Sequence, residues 1–265
     1  MLLTSKVYPS HGSTYPLLLI HGMGSASTAW KTIAPNLEKL FTVVTIDLPG
    51  HGETPLDKSQ LMDPQSLALA VIQTMKTHGY ERFHVVGNSL GGWVALEMAV
   101  LKPEAIASIT GLAPAGLWLA PYNARYPGTA IARMLANGLK VVSPMLLHYE
   151  WARKIGFESV SPRWKEFSYE TCLDATLAMA TSAGYYPAWD AMLKKRFDGH
   201  IQSSIPITVI FGDEDRTLPA ATSQEKSLVP AHTRWINVAQ CGHAPMWDHP
   251  ALIVEEIIKT TGIKP

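Results

Sequence analysis

The chain has 265 residues, 47% of them hydrophobic and 17% charged, and its 22 basic side chains balance 22 acidic ones. That length and apolar content support a sizeable buried core and exclude a disordered chain, leaving either one large α/β domain or a core carrying an insertion. Zero net charge and the lack of a long basic stretch argue against nucleic acid or an anionic membrane surface as the main partner.

Residues 1–16 show no basic head followed by a long apolar segment, so no secretory signal is visible and the chain reads as cytoplasmic. Leu17-Leu18-Leu19-Ile20 is far too short to cross a bilayer, so no stable membrane insertion is expected. It is instead the first of six short apolar runs with strand character: 17–20, 43–46, 84–86, 107–112, 208–211 and 234–238. Helical patterns at 32–40, 65–78, 92–101, 221–228 and 251–260 alternate with them. Such alternation predicts an α/β fold, a mostly parallel central sheet with helices on both faces.

The rhythm breaks between residues 116 and 205. The stretch offers no strand-like run beyond 140–142, its helical patterns are interrupted by prolines, and it holds 13 of the 23 aromatic residues. A helical insertion explains both facts. Residues 1–115 and 206–265 then form the core, and residues 116–205 form a cap, or lid, inserted into it. Cys172 and Cys241 lie far apart in sequence and read as two free thiols in a reducing compartment.

Gly87-Asn88-Ser89-Leu90-Gly91 falls between a strand pattern and a helix pattern. In that context Gly-x-Ser-x-Gly marks a sharp turn that holds a serine hydroxyl out at the strand end, making Ser89 the candidate nucleophile. A free hydroxyl is a poor nucleophile near neutral pH and needs a base. His243, in Cys241-Gly242-His243-Ala244-Pro245 after the last strand pattern, is the best of ten histidines. An imidazole in that role needs a carboxylate to fix its tautomer and stabilise its charge. Asp215 is favoured, with Asp213 the next choice and Glu214 facing solvent. The oxyanion of a tetrahedral intermediate calls for two main-chain donors, Leu90 at a helix start and Met23 in the His21-Gly22-Met23-Gly24 loop. His21, His51 and Asp47 sit in glycine-rich turns and are read as organising those turns by hydrogen bonding.

These pieces together resemble the α/β-hydrolase superfamily, in its capped, serine esterase-like branch. The resemblance rests on five segments in order: His21-Gly22-Met23-Gly24; Asp47-Leu48-Pro49-Gly50-His51-Gly52; Gly87-Asn88-Ser89-Leu90-Gly91-Gly92; Gly212 with Asp215 and Pro219; and Gly242-His243-Ala244-Pro245. It implies a serine hydrolase that uses no cofactor or metal. Serine at 89 argues against the haloalkane dehalogenases and epoxide hydrolases of this fold, which use an aspartate nucleophile.

The expected activity is a carboxylesterase cleaving small to medium apolar carboxylic esters through an acyl-enzyme, its partner a small-molecule ester. The aromatic and methionine-rich cap offers Trp118, Met145, Trp151, Met179, Tyr185 and Trp189 as pocket candidates, with Met134 and Tyr186 beside them. The alternative is a carbon–carbon bond hydrolase of the meta-cleavage-product type with the same triad. In that reading Arg125, Arg133, Arg153 or Arg163 would hold a substrate carboxylate. The glycine-proline-glycine loop usual in those enzymes is missing, and Ala244 stands where they carry tryptophan. A lyase, a perhydrolase or a non-catalytic ligand receptor on the same fold complete the readings, and oligomeric state is not fixed by sequence.

Overall fold

Seven short strands build the centre of the protein: β1 (Ser5–Tyr8), β2 (Leu17–Ile20), β3 (Val43–Ile46), β4 (Phe83–Asn88), β5 (Ile106–Leu112), β6 (Ile207–Gly212) and β7 (Arg234–Val238). The computed structural model describes residues 2–10, 12–125, 133–134, 137–138 and 140–263. The strands hydrogen-bond in the order β1-β3-β2-β4-β5-β6-β7, with β1 antiparallel to β3 and every other pair parallel. β1 is absent from the sequence-based expectation. Its residues alternate between half-buried and exposed at the sheet edge, so it lacks the continuous apolar run that marks the inner strands.

Strands β2, β3 and β4 are buried along their whole length, as a parallel sheet covered on both faces requires. Side chains alternate between two cores. Leu18, Ile20 and Val85 join one core with helices α2 (Pro64–Thr77) and α3 (Leu90–Leu101), whereas Leu17, Leu19 and Val86 join the other. That second core includes Leu37 of α1 (Ala34–Leu37). The expected helix at 32–40 is reduced to this short piece behind a 3₁₀ turn at Ser27–Thr32.

Between β5 and β6 the chain forms α4 (Ser143–Leu146), α5 (Glu150–Phe157), α6 (Tyr169–Thr181) and α7 (Tyr185–Met192), with no strand among the described residues. Residues 140–142 form a turn there, not a strand. Leu147, Phe157, Trp164, Phe167 and Cys172 give the insertion a small core of its own. After β6 the expected helix at 221–228 is split into α8 (Ala220–Ser223) and a 3₁₀ turn at Lys226–Leu228. Helices α9 (Pro245–Asp248) and α10 (Pro250–Thr261) close the chain, and Ile253 and Ile257 of α10 lie in the second core. Cys172 and Cys241 are both free and buried. Among the described residues no helix is long and apolar enough to cross a membrane.

The order of the strands sets where a site can form. The chain leaves β2 toward β3 on one side and, two strands later, β4 lies on the other. In open α/β sheets ligands bind outside the carboxyl ends of the strands, where the direction of winding reverses. The loops after β2, β4, β6 and β7 carry Met23, Ser89, Asp215 and His243, so all four segments meet at that rim.

Three buried histidines tie the fold to pH. Burial lowers the pKa of His21; it takes His84, with help from Arg82, to about 4, and His51, with help from His21, to about 3. A ring whose folded pKa lies below its unfolded value of about 6.5 takes up its proton mainly on unfolding, so its folded form loses ground as pH falls through 6.5. Stability is therefore expected to be highest above pH 7 and to fall by pH 5, by roughly 2 kcal/mol for each of His51 and His84. Urea midpoints at the two pH values check this, and in His84→Gln the difference should shrink.

Candidate active site

Ser89 stands between β4 and α3 with φ 52° and ψ −116°, a backbone region that side-chain-bearing residues avoid at a cost of about 1–3 kcal/mol. Hydrogen bonds hold it there from two directions. Its N–H donates to the Leu112 carbonyl at 2.9 Å, and its carbonyl accepts from the N–H groups of Gly92 and Ala115, each at 2.9 Å. The flanking glycines follow from space. A Cβ on Gly87 would lie 2.2 Å from the Gly91 carbonyl oxygen, and one on Gly91 would lie 2.2 Å from that of Ile20. The head of α3 is thus pressed onto the end of β2, and only hydrogen fits between them.

Across the rim, His243 Nδ1 lies 2.7 Å from Asp215 Oδ2. A carboxylate only accepts, so Nδ1 carries the proton and donates it, which leaves Nε2 free to accept. Asp215 Oδ1 takes two further bonds, from the N–H groups of Thr217 and Leu218 at 2.8 Å each. The Asp215 side chain has no exposed surface, whereas the His243 ring keeps 14% of its own. Burial alone would raise the Asp215 pKa. The charge and hydrogen bond of His243, with the Leu218 and Thr217 N–H groups, outweigh it and hold the carboxyl below its ordinary value. Asp213 and Glu214 are exposed.

The serine and imidazole segments are joined by Asn88. Its side-chain amide donates to the Leu112 carbonyl at 3.0 Å and to the His243 carbonyl at 3.1 Å. The two chain segments that carry Ser89 and His243 therefore lie side by side. No hydrogen bond joins Ser89 Oγ to the imidazole among the described residues, and such bonds commonly form only in a substrate complex. Asn88 was treated in the sequence as an unspecified position of the serine turn; nothing in the pattern signalled this clamp.

The loop after β2 faces the serine. A Cβ on Gly22 would come within 3.1 Å of Ser89 Cβ, so the residue just before Met23 lies against the serine. Among the described residues, neither the Met23 nor the Leu90 N–H is taken by a protein acceptor. Leu90 is the first residue of α3, where the helix dipole is positive.

His21, His51 and Asp47 organise turns. His21 Nδ1 donates to the Gly22 carbonyl at 2.7 Å while Nε2 accepts from the Leu48 N–H at 3.0 Å. His51 Nδ1 donates to the Pro49 carbonyl at 3.0 Å. Asp47 accepts from the N–H groups of Ser27 at 2.7 Å and Glu53 at 3.0 Å, tying the loops after β2 and β3 together.

The residues expected to line a pocket separate into groups. Met179 and Tyr185 pack onto the loop after β2: a Cβ on Gly24, where φ is +74°, would lie 2.7 Å from Met179 Cε and 2.9 Å from Tyr185 Cδ2. Trp118 and Trp189 are buried in the main core, Trp118 edge-on to Trp93 and donating to the Lys195 carbonyl at 2.8 Å. Met145 and Trp151 are instead 63% and 56% exposed, as is Met134 at 65%, so their side chains face solvent and are not enclosed with Met179 and Tyr185. Of the arginines, Arg125 pairs with Asp190 and Arg163 with Glu166. Arg133 bonds the Ser182 carbonyl and hydroxyl and lies over the Tyr185 ring, and Arg153 reaches the Phe167 carbonyl at 3.5 Å.

Residues 17–256 match the model of a family described as the alpha/beta hydrolase family. The dihydrolipoyllysine-residue acetyltransferase component of the acetoin cleaving system of Cupriavidus necator is 29% identical over 80% of this chain, and the match spans 55% of that protein's length. The pimeloyl-[acyl-carrier protein] methyl ester esterase of Legionella pneumophila is 24% identical over 94% of this chain and 97% of its own. Among solved structures, a meta-cleavage product hydrolase from Pseudomonas fluorescens superposes with a TM-score of 0.70 at 18% identity, covering 98% of this chain and 94% of that one. At that identity the likeness speaks for the fold alone.

Asp47 offers a direct test of the scaffold. Its two oxygens each accept one main-chain N–H, and an amide has only one oxygen to offer. Asp47→Asn is expected to cost about 1–3 kcal/mol of stability, read as a lower urea midpoint at unchanged slope.

Proposed function

The chain belongs to the alpha/beta hydrolase family, and from that premise we propose that it is a serine carboxylesterase acting on small to medium apolar carboxylic esters. The observation that carries this reading is the buried Asp215 bonded to the His243 ring, on a segment held by Asn88 beside the strained Ser89. Ser89 attacks the acyl carbon while His243 Nε2 removes its proton. Asp215 fixes the tautomer and stabilises the imidazolium. The N–H groups of Met23 and Leu90 receive the oxyanion. His243 then protonates the leaving alcohol, and an acyl group remains on Ser89. In the second half His243 activates water, which releases the acid.

The residues of the inserted segment that support an apolar acyl site are Met179 and Tyr185, both against the loop that carries Met23. We read the segment as a lid over the rim. The aromatic and thioether surface there suits alkyl or aryl groups of modest size. The esterase named among the relatives supports ester chemistry. Carbon–carbon cleavage shares the triad, and the substrate decides between the two.

Three measurements test the reading. Ser89→Ala should reduce hydrolysis of short p-nitrophenyl esters to the uncatalysed background while its melting transition is retained. Asp215→Asn should lower turnover by on the order of 1,000- to 10,000-fold, because the amide favours the wrong imidazole tautomer. The native enzyme should hydrolyse p-nitrophenyl butyrate hundreds of times faster than a vinylogous diketo acid, and the reverse order would give the carbon–carbon reading. Ester turnover that survives unchanged in Ser89→Ala would remove the serine from the mechanism.

A further inference from the structure

Asp248 closes α9, five residues beyond His243, and it is only 4% exposed. Its two carboxylate oxygens take different donors. One accepts the Ser161 hydroxyl, and the other accepts the Gly242 N–H at 2.7 Å. Ser161 belongs to the inserted segment between α5 and the 3₁₀ turn at Trp164–Glu166, and its oxygen also accepts the Arg163 N–H at 2.9 Å. One residue earlier, the Val160 carbonyl accepts the His243 N–H at 2.8 Å.

The main chain at 242–243 is therefore held at three points. Asp248 holds the Gly242 N–H, Val160 holds the His243 N–H, and Asn88 holds the His243 carbonyl. Helix α9 is itself fixed. Trp247 Nε1 donates to the Ala29 carbonyl at 2.9 Å, and Thr32 Oγ1 donates to the Met246 carbonyl at 2.9 Å. Keeping a carboxylate so deep is costly, and burial raises its pKa despite the bonds from Ser161 and Gly242.

We propose that Asp248, together with Val160 and Ser161 of the inserted segment, forms a positioning element that fixes the 242–243 main chain and so keeps the His243 imidazole in line with Ser89. The proposal rests on the serine hydrolase reading above. Asp248 touches neither substrate nor the reacting atoms; it acts through the backbone of the base. A base displaced by about 1 Å can lose on the order of 100-fold in rate while substrate still binds.

The test uses purified Asp248→Ala, Asp248→Asn and Ser161→Ala, assayed for kcat and KM on p-nitrophenyl butyrate, with thermal melts of each. Asp248→Ala should lose about 10- to 100-fold in kcat with KM within about twofold of native. Asp248→Asn should recover most of that loss, because its amide oxygen accepts from Gly242 and its NH₂ donates to the Ser161 oxygen. Ser161→Ala should lose a few-fold in kcat at native KM. The proposal is overturned if Asp248→Ala turns over within twofold of native, if its loss lies in KM, or if Asp248→Asn is as impaired as Asp248→Ala. Should Asp248→Ala fail to fold, Ser161→Ala decides: a native kcat there overturns the proposal. Labelling of the native enzyme by a fluorophosphonate separates the two layers of argument. An unlabelled Ser89 removes the hydrolase reading, whereas a labelled Ser89 with native kcat in Asp248→Ala removes only the positioning element.

Discussion

The structure depends on one close approach: the first turn of α3 against the last residue of β2. Gly91 meets the Ile20 carbonyl and Gly87 meets Gly91 at distances that leave no room for a methyl group. That contact leaves the intervening serine in a backbone conformation it would not otherwise adopt. The strain is retained because the Leu112, Gly92 and Ala115 main chain binds Ser89 on both sides. Because the loop after β2 starts at the same Ile20 carbonyl, Gly22 also comes against the serine.

Around this contact the polar groups are divided by environment. His21 and His51 are wholly buried, bond main-chain groups and are kept neutral by burial. His243 keeps part of its ring in the open and pairs with a buried carboxylate. Two residue types recur at the rim in opposite settings, distinguished by exposure and by partner. Asp47 and Asp215 divide in the same way, one serving loops through N–H groups alone and the other also serving a ring.

Much of this was legible in the residues. The inner strands read as apolar runs because both faces of each are covered, and the serine turn read as a turn because its glycines are sterically required. Asp215 was separable from Asp213 and Glu214 by its place in the loop, and it alone is buried. β1 was illegible because an edge strand with half-exposed residues has no continuous apolar signal. Met145 and Trp151 were grouped with Met179 and Tyr185 because composition counts side chains without orienting them. Asn88, Val160 and Asp248 were missed for a different reason: their partners are main-chain atoms, and for Asp248 also the Ser161 hydroxyl, up to 155 positions away, and no spacing rule encodes such a bond.

The inserted segment meets the core through peptide groups at both flanks: Gly184 N–H to the Gly50 carbonyl at 2.9 Å, and the Val160 carbonyl to the His243 N–H at 2.8 Å. Every residue carries a peptide group, so these attachments depend on backbone path first, although 184 also requires glycine because a Cβ there would lie 2.3 Å from the Pro49 carbonyl oxygen. Side chains of the insertion that take no part in such contacts can therefore vary without loosening these two attachments. The same fact sets a rule for chimeras: a transplanted insertion must reproduce the backbone path at 160 and 184 and keep the Ser161 hydroxyl and Gly184.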